Sequence, residues 1–70
     1  MNINNYEDIL NYELNKAYDK LLARGYSRRH LVKAKNLTNN EIKRGIRSLA
    51  RIEDALFDNY EWVMGFTYDQ

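Results

Sequence analysis

The 70-residue chain has no cysteine, no proline, only three glycines and a single histidine. Without cysteine there are no disulfides and no cysteine-based zinc sites, which removes the stapled secreted domain as a class. The one histidine, His30, has Lys33 and Ala34 where a second metal ligand would have to stand, so no metal is expected. Ser27 and Ser48 lack a base and orienting group. Glu7 and Asp8, like Glu53 and Asp54, are adjacent in sequence and diverge on a helix instead of converging as an acid–base pair. Gly25, Gly45 and Gly65 are isolated, which excludes a glycine-rich phosphate loop. A non-enzymatic protein without cofactor is the expectation. No apolar run approaches the roughly 20 residues needed to span a bilayer. With no signal peptide visible either, a cytoplasmic chain without a membrane partner is expected.

What the chain does have is charge sorted by position. Its net charge of +1 conceals three blocks. Residues 1–23 set Lys16 and Lys20 against four acids, a net of −2. Residues 24–52 set nine Lys and Arg against Glu41 alone, a net of +8, and residues 53–70 carry five acids and no base. A basic middle between acidic flanks signals nucleic acid or an acidic partner. Nine asparagines and six tyrosines without proline fit an AT-rich genome of the phage or plasmid kind.

Seventy residues make one domain, residues 1–70, with little core to spare. From Tyr6 to Arg24 the positions Tyr6, Ile9, Leu10, Leu14, Ala17, Tyr18, Leu21 and Leu22 trace one helical face. Glu7 and Asp8 suit the first turn, Arg24 the last, and Gly25 a left-handed stop. Ser27 caps a short second helix, Arg28 to Lys35, and Asn36 supplies a turn. Thr38-Asn39-Asn40-Glu41 reads as a capping box that opens a third helix running to Phe57. Leu37 would staple onto Ile42, and Ile42, Ile46, Leu49, Ile52 and Leu56 would form the apolar face. Beyond Phe57, Tyr60, Trp62, Met64, Phe66 and Tyr68 alternate with other residues. That period of two, with Gly65 inside it, predicts a short strand, the alternative being an irregular aromatic tail. The fold class expected is mainly α, a three-helix domain with this tail.

A helix, a short turn through Asn36 and Leu37, and a capped helix resemble the helix-turn-helix unit of DNA-binding proteins, over residues 27–51. In that family the early residues of the second helix enter the major groove. The resemblance therefore points to Asn39, Asn40, Lys43, Arg44 and Arg47, with Arg28, Arg29, Lys33 and Arg51 adding to the basic patch. Asparagine suits adenine, arginine suits guanine, and the remaining bases suit phosphate. Val32, Lys35 and Asn36 depart from the family pattern, which favours a small residue, an apolar residue and glycine there. The leading expectation is a small DNA-binding regulator or accessory factor of a mobile element, with duplex DNA as partner.

A second resemblance lies in Glu53-Asp54-Ala55-Leu56-Phe57, which is similar to the short peptide that binds bacterial sliding clamps, with Glu53 in place of glutamine. It implies a phage-type inhibitor or adaptor that grips a host protein through Leu56, Phe57, Tyr60, Trp62, Met64 and Phe66. If the tail is a strand, its large side chains share one side and its backbone needs a partner, either residues 1–4 or the same strand of a second copy. A homodimer to which the tails contribute is expected, the rival being a monomer whose tail folds back on the first and third helices.

Overall fold

The computed structural model describes residues 5–45 and 48–69, and the side chains of residues 6–45 and 48–65. They form a mainly α, three-helix domain: α1 (Asn5–Ala23), α2 (Arg28–Lys43) and α3 (Ile52–Asp69), with a 3₁₀ turn at Leu49–Arg51 leading into α3. No strand occurs among the described residues.

α1 forms where its periodicity places it. Leu10, Leu14, Ala17 and Leu21 are buried in one row, with Tyr18 and Leu22 packed beside them. Tyr6 and Ile9, counted on that face, stay half exposed, and the Tyr6 hydroxyl accepts the Leu49 N–H at 3.3 Å. Gly25 ends the helix as expected. At φ +96° it lets its own N–H reach the Leu22 carbonyl (3.1 Å) and the Tyr26 N–H reach the Leu21 carbonyl (3.2 Å). This paired C-terminal closure satisfies carbonyls that would otherwise be orphaned.

α2 departs most from the sequence reading. Ser27 caps it, accepting the His30 N–H on Oγ, but the helix does not stop at Lys35. It runs through Asn36 and Leu37, so the turn of the helix-turn-helix reading is not formed there, and Thr38 lies mid-helix. The reason is the apolar row. Leu31, Ala34, Thr38 and Ile42, three, four and four residues apart, are all buried. A break at Asn36 would split that row, whereas asparagine inside a helix costs only about 0.5 kcal/mol against alanine. The Thr38 hydroxyl donates to the Ala34 carbonyl at 2.9 Å and is no cap. Leu37 and Ile42 share one helix, so no staple forms between them. The stop comes at Gly45, φ +75°, whose N–H bonds the Ile42 carbonyl at 2.9 Å.

α3 therefore begins at Ile52, fourteen residues after the expected Thr38 start. Leu49 is exposed in the 3₁₀ turn, and Ile46 falls outside the described residues. Ile52, Ala55, Leu56 and Val63 are buried against α1 and α2. The helix continues through the segment read as a strand, Gly65 included. A helix satisfies its backbone groups internally, and the stripe from Ile52 to Val63 keeps its helical spacing; a lone strand has nothing to pair with. The aromatic stripe dissolves with it. Alternate residues of a helix point about 200° apart, so Trp62 faces away from the side that Tyr60 and Met64 share.

The core is leucine, isoleucine and alanine, with one polar member. Thr38 is fully buried, and Asn59 of α3 donates from Nδ2 to its Oγ1 at 2.8 Å and to Glu41 Oε1 at 3.1 Å. At the α1–α2 corner Tyr26 packs edge-on against Tyr60 (5.0 Å between centroids) and Phe57 (6.0 Å), and the Tyr60 hydroxyl accepts the Ser27 N–H at 3.2 Å.

Candidate nucleic-acid interface

With Leu31, Ala34, Thr38 and Ile42 turned inward, geometry decides what α2 shows to solvent. At about 100° per residue, Arg29, Lys33, Asn36, Asn40 and Lys43 share the outward face. Each of them is exposed, as are Arg28 and Arg44 at its ends. From Arg29 to Lys43 this face is about 21 Å long at 1.5 Å per residue. No carboxylate lies on it. The one acid of α2, Glu41, is half-buried and bonded to Asn59 of α3.

The charge of each helix follows suit. α2 carries five Lys and Arg against Glu41, α1 carries two Lys against four acids, and α3 carries five acids and no base. The ends of the helices are as telling as the totals. α1 and α3 place Glu7, Asp8, Glu53 and Asp54 in their first turns, where the helix dipole favours anions. α2 has no acid in its first turn and begins with Arg28 and Arg29. Cations at a helix N-terminus oppose the dipole by about 0.3–1 kcal/mol each. That is a local rule broken without a packing return, because both arginines are exposed. Breaks of a local rule of this kind are expected at functional or strained sites.

The structure brings most of the sequence-assigned site together on one helix instead of two. Arg28, Arg29, Lys33, Asn40, Lys43 and Arg44 lie along or beside the face. Asn39 is half-buried on the flank toward α1, Arg51 is exposed on the 3₁₀ turn, and Arg47 lies outside the described residues. Asn36, read as a turn residue, belongs to the face; its spacing of four from Asn40 was the signal. Lys35 sits on the α1 flank with Nζ 4.7 Å over the Tyr18 ring.

The residues assigned to a protein partner scatter. Leu56 is fully buried in the core and cannot fill another protein's pocket without leaving it. The segment of the clamp-like peptide is helical here. Phe57 and Tyr60 are half-buried around Tyr26 and Met64 is half-buried. Trp62 is 62% exposed beside the acids of α3. The Phe66 side chain lies outside the described residues.

Comparison with known proteins gives no match: no family model, no curated protein and no solved structure. Among the described residues no group of three His, Cys, Asp or Glu could hold a metal ion, and no helix is long and apolar enough to cross a membrane.

Proposed function

We propose that this is a small non-enzymatic DNA-binding protein, a regulator or accessory factor, whose reading element is the outward face of α2. The observation that carries the reading is the acid-free row Arg29, Lys33, Asn36, Asn40 and Lys43, set on a helix that opens against its own dipole. A single α-helix fits the major groove of a duplex. A straight helix meets the curved groove best at its middle, so Asn36 and Asn40 face base edges. Their amides match the donor and acceptor of adenine. Arg28, Arg29, Lys33, Lys43 and Arg44, nearer the ends, take phosphates.

The test is the salt dependence of binding to a labelled duplex, read by fluorescence anisotropy. Wild type should lose affinity steeply with salt, and Arg29→Ala, Lys33→Ala and Arg44→Ala together should lower the log–log slope by about one for each phosphate contact removed. Alanine is a good helix former, so α2 survives the substitutions. No binding at low salt, or a triple variant that binds as wild type does, refutes the reading.

The rival reading, a phage-type adaptor or inhibitor of a host protein, draws on exposed Trp62 next to Glu61 and one turn from Asp58. It has lost Leu56 as an anchor, and the strand that suggested a homodimer is a helix.

A further inference from the structure

Beside the outward face of α2, a hollow of about 280 Å³ opens between α1 and α2. Asn11 and Asn15 of α1 face Asn36 and Asn39 of α2 across it, with Lys35 and Lys43 at the same wall and buried Leu14 beneath. On α2, Lys35, Asn39 and Lys43 follow one another at intervals of four, so the hollow runs along the flank of the proposed reading face.

Two properties distinguish it. First, no carboxylate lines it, in a chain with ten Asp and Glu. The larger hollow at the start of α3, about 490 Å³, is lined by Glu13, Asp19 and Glu53 with Lys16 and Lys20, and is electrically mixed. Secondly, none of the four amides has a hydrogen-bond partner among the described residues. Asn59, by contrast, spends its amide on Thr38 and Glu41 and ties α3 to α2. The four asparagines of the hollow hold nothing together, and each is a weaker helix former than alanine.

We propose that this hollow seats a backbone phosphate of the nucleic acid lying along α2, which makes α1 part of the interface. The inference rests on the DNA-binding reading and extends it to a helix of net negative charge. A phosphate accepts hydrogen bonds and donates none, and the hollow offers the amide NH₂ groups of Asn11, Asn15 and Asn39 and two ammonium groups, Asn36 being left to the base edges. Asn and Lys are common phosphate partners in protein–DNA contacts. The position also fits, because a helix lying in the major groove is flanked by the phosphate ridges of both strands. Lys35 is held at the wall by the Tyr18 ring and pairs with no carboxylate among the described residues.

The test removes the α1 half of the hollow without changing charge. Asn11→Ala with Asn15→Ala leaves the outward face of α2 untouched and favours the α1 helix. Affinity for a labelled duplex at low salt should fall about tenfold, as expected for lost hydrogen bonds to a charged group. Asn15→Asp, which places a carboxylate at the site, should weaken binding further and reduce the salt slope. In wild type the side-chain amide resonances of all four asparagines should shift on adding duplex. If the double alanine variant binds as wild type while Arg29→Ala, Lys33→Ala and Arg44→Ala abolish binding, the hollow is refuted and the reading face stands. If wild type binds no duplex, both fall together.

Discussion

Thr38 separates two accounts of the chain, and its conservative variants tell them apart. As a helix cap it would tolerate serine freely, since Ser and Thr both serve there. As the buried residue of the structure it should not. Thr38→Ser keeps the hydroxyl bonded to Ala34 and Asn59 but deletes a methyl from a fully buried site. That deletion costs about 1 kcal/mol. Thr38→Val keeps the shape and removes the hydroxyl. The Ala34 carbonyl retains its helical bond, whereas the Asn59 amide loses its 2.8 Å acceptor and keeps only Glu41. An unsatisfied donor of this kind costs about 1–3 kcal/mol, toward the lower end because Asn59 is half-buried. In a domain of this size each kcal/mol lowers Tm by about 4–8 °C. Urea unfolding followed by circular dichroism gives the stabilities, and a double-mutant cycle of Thr38→Val with Asn59→Ala isolates the contact. A coupling of about 1 kcal/mol is expected. A serine variant as stable as wild type, together with additive effects in the cycle, would refute the buried position of Thr38.

Two of the glycines give predictions of opposite sign. Gly65→Ala should stabilise by about 0.8–1 kcal/mol, since Gly65 is helical with open space where the Cβ would go. A destabilised variant in thermal melts would count against helix at that position. Gly45→Ala meets no atom within 4 Å either, yet should cost about 1–2 kcal/mol because alanine must adopt φ +75°. A neutral result there would mean that α2 does not end at Gly45. Leu56→Ala should destabilise by about 2–5 kcal/mol, the cost of emptying a core site. A stable Leu56→Ala variant would return Leu56 to the surface and revive the clamp-like peptide.

The helical class and the whole of α1 were legible because every local signal agreed: acids at the start, an unbroken apolar row, glycine at the end. Around residues 36–45 the signals conflict. Thr38-x-x-Glu41 has the composition of a cap, but a hydroxyl that bonds four residues back serves equally well inside a helix. Only the row Leu31, Ala34, Thr38, Ile42 decides, and it requires counting a polar residue as core. Gly45, preceded by Lys43 and Arg44, carried a helix stop that an early third helix left no room to recognise. In the tail, five large residues at alternate positions outweighed the spacing of Ile52, Leu56 and Val63, which reaches into the same segment. The basic patch was visible from charge segregation alone. Its gathering on one face was not, because that depends on where the helix breaks.

The segregation of charge by helix has a consequence for how the molecule meets other bodies. A net charge of +1 exerts almost no pull at a distance, but a positive α2 beside negative α1 and α3 gives the chain a large dipole. In the field of a polyanion such an object is turned before it is drawn in, so encounters are selected by orientation more than accelerated. The acids Asp54, Asp58 and Glu61 are exposed on α3. On the proposed reading they would repel a second strand of the same sign, so that one molecule engages one duplex and does not bridge two.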